Sequence, residues 1–154
     1  MDVKGNKSLA SDEVSAVAGQ VGTDDIQNNA ITDDSTVSET ETSPITTTST
    51  SYVEVPDMTL TVNLAVAARV LVLFRSNVNN DTDGRSVDTR LQIDGINYNE
   101  SRFTSSTGNA TGNNMNMALV DLNAGSHTFK VFWRVSAGTG TMRTRQHFLM
   151  IFKK

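Results

Sequence analysis

The stretch VDTRLQIDGINY, residues 87–98, decides the fold class. Apolar or β-branched residues occupy every second position from 87 to 93, which predicts a strand with one buried face. Asp94-Gly95 separates this run from a second short run at 96–98. An Asp-Gly pair between two such runs is a strong hairpin signal, because both turn positions need a positive φ. The stretch therefore predicts antiparallel β structure.

Period-two patterns continue on both sides of this hairpin. The run at 70–74 is apolar on both faces, which predicts a central strand covered on both sides. About eight short strands, separated by turn signals, favour an all-β, jelly-roll-like antiparallel β-sandwich. The predicted strands are 52–55, 60–64, 70–74, 87–93, 96–98, 115–119, 129–135 and 142–152.

The last predicted strand is apolar on both faces near its end. Phe148, Met150 and Phe152 share one face, and Leu149 and Ile151 share the other. Successive side chains of a strand point to opposite faces, so one of these two sets needs a cover other than the domain core. We expect that cover to be another sheet or a neighbouring subunit, and we assign the interface to Leu149 and Ile151.

The first fifty residues differ in composition from the rest. They contain no aromatic residue, and most residues from Ser35 to Ser51 are Ser or Thr. Such a segment buries too little apolar surface to offset its ordering entropy, about 1–2 kcal/mol per residue. We therefore divide the chain into an N-terminal docking and oligomerisation arm, residues 1–50, and a β-sandwich head, residues 51–154.

Apolar residues within the arm are candidate docking contacts. Ser11 can cap a short helix, and Val14, Val17 and Val21 follow at helical spacing. This stripe predicts either a marginal surface helix or a helix that docks on a partner or on its own copies. Ile26 and Ile31 stand alone in a polar background, as small anchors on an extended segment would.

Charge and composition exclude several classes of function. The formal net charge is −4, so the chain has no overall attraction for nucleic acid or an anionic membrane. It has no cysteine, which excludes disulfides, thiolate metal sites and cysteine nucleophiles. The N-terminus lacks a secretory signal pattern, and no apolar run is long enough to span a membrane. We expect no nucleic-acid partner and no membrane insertion.

Residues that could perform chemistry are few. The two histidines, His127 and His147, have no Gly-x-Ser-x-Gly elbow to accompany them, and lone histidines lack general-base geometry. The head acids Asp88, Asp94 and Glu100 are the ones a glycan-cleaving carboxylate pair would need, and we expect them to be scattered. The chain is therefore expected to be no enzyme, with no cofactor.

Two polar patterns leave alternatives open. The segment 79–84 matches part of a calcium-binding loop, but Arg90 stands where the bidentate Glu is required, and an ordinary polar turn fits better. Arg143, Arg145 and His147 alternate along the last strand. They predict either a basic ladder for an acidic partner, such as the arm of a neighbour, or a solvated sheet face.

A long polar segment, residues 101–114, is the candidate surface recognition loop. It is rich in Ser, Thr, Gly and Asn, and such residues on a rigid scaffold recognise sugars and surfaces. Arg102, Phe103, Asn109 and Asn113 are its candidate contact residues. The alternative is a variable polar loop without a defined site.

Three stretches suggest a family. Residues 51–56, 91–95 and especially 122–134 (LNAGSHTFKVFWR) resemble the C-terminal jelly-roll domains of viral tail-fibre, head-fibre or decoration proteins, from phages or archaeal viruses. The resemblance covers residues 45–154 well and the N-terminus loosely. It implies a virion location, with assembly in the host cytoplasm. Many such heads trimerise, somewhat like tumour-necrosis-factor heads.

The resemblance and the arm together imply a function. We expect a virion structural protein, a fibre, spike or capsid decoration, that attaches through its arm to a capsid or tail protein and forms a homotrimer. The alternative is a carbohydrate- or receptor-binding module that mediates host attachment, with a host surface glycan or receptor as its partner.

Overall fold

Strand pairing divides the described chain, residues 39–153 of a computed structural model, into two antiparallel sheets. Within these residues there are ten strands and no helix, hence none long and apolar enough to cross a membrane. The strands are β1 (Glu39–Glu41), β2 (Ile45–Thr47), β3 (Val53–Glu54), β4 (Leu60–Leu64), β5 (Ala68–Asn80), β6 (Ser86–Ile93), β7 (Ile96–Thr104), β8 (Thr111–Leu122), β9 (Gly125–Val135) and β10 (Gly140–Lys153).

Both sheets are built from strands that lie far apart in the sequence. Sheet A has the order β1-β10-β5-β8, with β2 also paired to β10. Sheet B has the order β3-β9-β6-β7, with β4 also paired to β9. Two facing antiparallel sheets with these connections form a jelly roll. The expected fold class, an all-β jelly-roll-like sandwich, is confirmed.

The core fills the space between the inner faces of the two sheets. Trp133, Phe129 and Leu91 enter it from sheet B, and Phe74 and Leu149 enter it from sheet A. Each is at most 2% exposed. Burial of each such side chain contributes about 1.5–3 kcal/mol, so this interior is what holds the sheets together.

The hairpin predicted at Asp94-Gly95 joins β6 to β7. Both turn residues have a positive φ, 49° and 82°, as the Asp-Gly pair requires. The Asp94 carboxylate also accepts a hydrogen bond from the Thr128 backbone N–H at 2.8 Å. The turn is thereby tied to β9, the strand that pairs with β6 on its other side.

The folded sandwich begins earlier than the composition suggests. Residues 39–47, which the sequence places in the arm, form β1 and β2 along one edge of β10. Their polar side chains suit an edge strand with solvent on it, and Thr has a high β propensity. Ile45 packs against the core, and the Ser49 carbonyl accepts a bond from the Val135 N–H. The sandwich therefore extends at least to Glu39.

The face assigned to the subunit interface on β10 is wrong. Leu149 and Ile151 are 0% and 5% exposed and lie in the core of the single chain. The outward set on the same strand is Phe148, Met150 and Phe152. The alternation was predicted, but its direction was reversed, because only the position of the second sheet decides which set is buried.

A β-bulge breaks the basic ladder predicted on β10. The register with β5 shifts between Met142 and Arg145, so Arg143 is exposed whereas Arg145 and His147 are buried. An extra residue in one strand moves the following side chains to the opposite face. Arg143, Arg145 and His147 therefore do not form one surface.

Candidate interaction surfaces

The outer face of sheet A carries a continuous patch of apolar side chains. Two rows cross three adjacent strands, from β10 through β5 to β8. The first row is Phe148, Leu73 and Met117, and the second is Met150, Leu71 and Leu119. With Met115 and Phe152 at their ends, these eight residues are called the apolar face from here on.

The apolar face is exposed in the single chain. Met115, Met117 and Leu119 on β8 are 62%, 52% and 59% exposed. The inward residues of β8 include the polar Asn114 and Asn116, which are buried. A contiguous exposed apolar patch on a soluble domain marks an interaction site. The alternation of the sequence predicts the strand at 115–119 but does not show that its methionines face outward.

Polar pairs border the apolar face at both ends. Arg69 and Asp121 form a two-bond ion pair, with 2.9 Å between Arg69 Nε and Asp121 Oδ1. At the other end the Arg75 Nε donates a hydrogen bond to Gln146 Oε1 at 2.5 Å. An apolar centre with a polar rim is the usual anatomy of a protein interface.

The outer face of sheet B has the opposite character. Arg102, Asp88 and Arg134 lie side by side on β7, β6 and β9, and Glu100, Arg90 and Phe132 form the next row. Lys130 and Tyr52 complete this surface. These eight residues are called the charged face from here on. Its cations and anions alternate, as on a face that solvent covers.

Asp88 organises the charged face. It is 2% exposed, and its carboxylate accepts hydrogen bonds from Arg102 Nε at 2.7 Å and Arg134 Nε at 3.1 Å. Burial raises the pKa of this carboxyl, but the bonds from Arg102, Ser86 and Arg134 outweigh it, so the net pKa is lowered. A buried carboxylate with two arginine partners is a structural clamp, because its charge is already neutralised.

The Tyr52 ring contacts two arginines of the charged face. The guanidinium carbons of Arg90 and Arg134 are 3.9 Å and 4.6 Å from the centre of its ring. Burial, and then the negative charge of Glu100, raise the pKa of the Tyr52 phenol. These cation–π contacts hold the ring against the charged face.

Side chains seal the open edge between β7 and β8. The Asn116 Nδ2 donates to the Asn99 carbonyl at 2.9 Å, and the Met115 backbone N–H donates to Ser101 Oγ at 3.3 Å. Unpaired backbone groups on an edge strand invite another chain to pair. Because these bonds engage part of that edge, β8 offers a partner its outer face more readily than its backbone.

Both histidines are engaged in hydrogen bonds within the head. The His127 Nδ1 lies 2.7 Å from Asp94 Oδ2, and its Nε2 lies 2.9 Å from the Asn123 carbonyl. Two acceptors favour the doubly protonated ring, and the bond to Asp94 raises the pKa of His127. His147 is 0% exposed, and burial lowers its pKa to about 4.

The three head acids singled out in the sequence each have cationic neighbours. Asp88 binds two arginines, Asp94 binds His127, and Glu100 lies 3.7 Å from Arg90 Nη1. Burial raises the pKa of Asp94, but the hydrogen bonds from His127 and Thr128 outweigh this effect, so the net pKa is lowered. A glycosidase needs one carboxyl that keeps its proton, and the lowered pKa values of Asp88 and Asp94 disfavour that for these two groups.

The candidate recognition loop is shorter than predicted, because β7 reaches Thr104 and β8 begins at Thr111. Arg102 belongs to the charged face, and the Phe103 ring packs against Gly112 and the core. Asn109 accepts a bond from Asn79 Nδ2 at 3.1 Å. Asn113 lies on the outer face of sheet A, so the four residues do not share one surface.

The segment at 79–84 holds its oxygens in hydrogen bonds. Asp81 Oδ1 accepts bonds from the Thr139 N–H and the Thr82 hydroxyl, both at 2.8 Å, and these lower the pKa of Asp81. Within residues 39–153 no group of three or more His, Cys, Asp or Glu side chains is arranged to hold a metal ion. The geometry favours the polar-turn interpretation.

The candidate docking residues of the arm lie outside the described residues. They are Val14, Val17, Val21, Ile26 and Ile31, and the short helix predicted after Ser11 lies there too. The same holds for most of the arm that the sequence defines. The structure therefore bears on the head and on β1 and β2.

No protein-family model and no curated protein sequence matches this chain. Several solved structures are similar to it at low sequence identity. Eiger TNF from S. frugiperda is 10% identical with a TM-score of 0.49, over 77% of this chain and 94% of that one. The VP2 subviral particle of infectious bursal disease virus is 11% identical with a TM-score of 0.46, over 77% of this chain and 33% of that one.

A family 35 carbohydrate binding module from Clostridium thermocellum is 15% identical with a TM-score of 0.37, over 76% of this chain and 92% of that one. These proteins differ in what their names describe, so fold likeness alone does not select a function. Because all three TM-scores are below 0.5, the jelly-roll assignment rests on the strand order of this chain.

Proposed function

We propose that this chain is a virion structural protein of the fibre, spike or decoration type. Its jelly-roll heads associate through the apolar face, with a homotrimer as the preferred state. The N-terminal arm attaches the assembly to a capsid or tail protein. The observation that carries the proposal is the contrast between an exposed apolar outer face on sheet A and a charged outer face on sheet B.

The apolar face supports self-association because it is both large and one-sided. Its two rows present six apolar side chains across three adjacent strands. Burial of apolar surface contributes about 25 cal/mol per Å², so neighbouring copies around a three-fold axis gain by covering parts of one another's apolar face. Closed point symmetry around one face limits assembly to a defined number of copies.

The virion location is supported by the sequence resemblance and by the chemistry of the arm. Residues 1–38 contain no aromatic side chain and carry a net charge of −5, and a segment of this kind can gain order by wrapping a partner. The described chain starts at β1, on the edge of sheet A. The arm therefore leaves the head beside the sheet that carries the apolar face.

The proposed mechanism is burial and strand pairing without chemistry. The groups best suited to acid–base chemistry, Asp88, Asp94, His127 and His147, are engaged in ion pairs or hydrogen bonds. We propose no cofactor and no enzymatic activity.

Light scattering on the full chain tests the self-association. We expect a mass of about 50 kDa, three times the 16.7 kDa of one chain. The substitution Met117→Glu should convert the trimer to the monomer, because each copy would bring a carboxylate into the apolar contact. Met117 is 52% exposed, so the substitution should leave the fold intact.

The matched control is Ile96→Glu. Ile96 is 62% exposed, but it lies at the β6–β7 hairpin, away from the apolar face. This variant should keep the mass of the parent chain. A monomeric parent at micromolar concentration, or dissociation by Ile96→Glu alone, would contradict the proposed interface.

Virion attachment needs a separate test. Full chain with Val14, Val17 and Val21 each changed to Ser should no longer copurify with virus particles, although its heads still associate. If the parent chain is absent from purified particles, the virion assignment fails even where self-association holds.

The alternative from the sequence, host glycan or receptor binding, has weaker support. Tyr52 is already engaged in cation–π contacts with Arg90 and Arg134, and the four candidate loop residues lie on separate surfaces. A glycan array with the assembled protein separates this alternative, because specific binding to one glycan class would favour it.

A further inference from the structure

We infer that the head binds an acidic segment of its own arm, residues 24–34, at a cavity lined by Arg75 at one end of the apolar face. The segment contains Asp24, Asp25, Asp33 and Asp34. This inference goes beyond the proposed function, which requires only that the arm reach a partner. It assigns a ligand chemistry, aspartate carboxylates, to a cavity that the sequence did not predict.

The cavity lies on sheet A beside the bulge of β10, which contributes Thr144 to it. It has a volume of about 390 Å³, and its lining includes Arg75, Asn77, Asn113, Met115 and Thr144. Arginine guanidinium, side-chain amides and a hydroxyl all donate hydrogen bonds, and a carboxylate accepts them. The lining therefore suits an anionic group of side-chain size.

Cations without acidic partners are concentrated at this end of sheet A. Among the residues that the structure describes, four arginines form no ion pair, and three of them, Arg75, Arg143 and Arg145, belong to β5 and β10 here. Arg75 donates one hydrogen bond to the Gln146 side-chain amide, and Arg143 donates one to the Asn79 side-chain amide. Their remaining N–H groups are available to an anion.

Arg145 adds a buried positive charge behind the cavity. It is 2% exposed, and its Nη1 donates to the Ser43 carbonyl at 2.7 Å, while its Nε has no hydrogen-bond partner. A buried guanidinium with only carbonyl partners raises the local positive potential. An anion on the outer side of the same strands would be attracted by it.

The arm and the head carry net charges of opposite sign. Residues 1–38 contain seven acidic residues and two lysines, a net charge of −5. Since the whole chain carries −4, residues 39–154 carry +1. The acidic part of the arm and the unpaired arginines of the head are therefore complementary.

The arm is long enough to reach the cavity in the same molecule. Thr40 of β1 pairs with Gln146, which pairs with Arg75, so two strand spacings, about 10 Å, separate Thr40 from Arg75. Asp34 precedes Glu39 by five residues, which span up to about 17 Å when extended. Asp33 and Asp34 can thus return to Arg75 of their own head.

Zero-length carbodiimide cross-linking tests this contact. The reagent joins carboxylates to amines, so Arg75→Lys in the full chain places a reactive amine at the cavity while keeping the charge. We expect mass spectrometry to find links from position 75 to the aspartates of residues 24–34. The yield should fall several-fold at high salt, because screening weakens the attraction between exposed charges.

The control variant is Arg85→Lys. Arg85 is exposed and forms no ion pair among the described residues, but it lies in the β5–β6 connection. It should give at most a tenth of the links to residues 24–34. Equal yields from the two variants, or no link from position 75, would overturn the inference.

Two further experiments locate the contact and separate it from the proposed assembly. Mixing isotope-labelled and unlabelled chains should show that the links form within one molecule, and links only between molecules would overturn the inference. Combining Arg75→Lys with Met117→Glu should leave the link in place without the oligomer. A parent chain that proves monomeric but still shows the link would refute the proposed assembly and not this inference.

Discussion

The two outer faces of this sandwich share one backbone architecture and differ in almost every side chain. The outer face of sheet A presents rows of Leu, Met and Phe, whereas that of sheet B presents alternating Arg, Asp and Glu around Tyr52. Both faces alternate with a buried set on the same strands. The difference shows that period two alone defines a strand but does not say whether its outer face meets water or a partner.

The clamp on the charged face gives the largest expected effect on stability. Asp88→Asn should lower the free energy of unfolding by about 3–5 kcal/mol, because three charge-assisted hydrogen bonds from Arg102 and Arg134 to a buried carboxylate would be lost or weakened. Urea denaturation measures the change. Glu54→Gln, which removes the more exposed partner of Lys130 at the rim of that face, should cost at most about 1 kcal/mol. Equal losses would show that Asp88 is no clamp.

Two neighbouring residues of β10 test which face of sheet A is the core. Leu149→Ala should cost about 2–5 kcal/mol, because it leaves a cavity between the sheets. Phe148→Ala, on the apolar face, should change the stability of the monomer less but weaken its self-association. Denaturation in the monomeric Met117→Glu background, with light scattering in the parent, separates the two effects. A larger loss from Phe148→Ala would reverse the assignment of the faces.

The two histidines should make the stability of the fold depend on pH in opposite directions. Burial holds the folded-state pKa of His147 at about 4, below the ordinary 6.5, so protonation favours the unfolded chain. Stability should therefore fall between about pH 6.5 and pH 4, by about 3 kcal/mol from this residue. In His147→Gln this part of the acid dependence should disappear.

His127 should behave in the opposite sense. Its pKa is raised, so its contribution is present below the unfolded value and is lost as the pH rises through the folded value. His127→Gln should thus flatten the stability profile above pH 6.5 and not below it. An acid profile that His147→Gln leaves unchanged would show that His147 is accessible to protons in the fold.

Much of the fold was predictable because the deciding signals are local. The Asp94-Gly95 turn needs positive φ at both positions, and the alternation on either side marks strands whatever surrounds them. The arm boundary at residue 50 was placed too late because local composition does not show pairing with a distant strand. β1 and β2 have a polar composition, and what orders them is pairing with β10, a strand about one hundred residues later in the chain.

The surfaces were predictable only in part. The apolar second face of β10 was visible in the sequence, but Leu149 and Ile151 were assigned to it in place of Phe148 and Met150. The bulge after Met142 has no composition signal, and it alone separates Arg143 from Arg145. The charged face could not be seen, because Asp88, Arg102 and Arg134 meet only when β6, β7 and β9 pair.

The sequence by itself determined that this chain forms antiparallel strands with polar turns, because side-chain alternation and positive-φ turns act within a few residues. Only the tertiary structure decided which side of each strand is core, since that depends on where the opposite sheet lies. The apolar face, the charged face and the cavity lined by Arg75 all follow from that choice. Each is a property of strands brought together from distant parts of the chain.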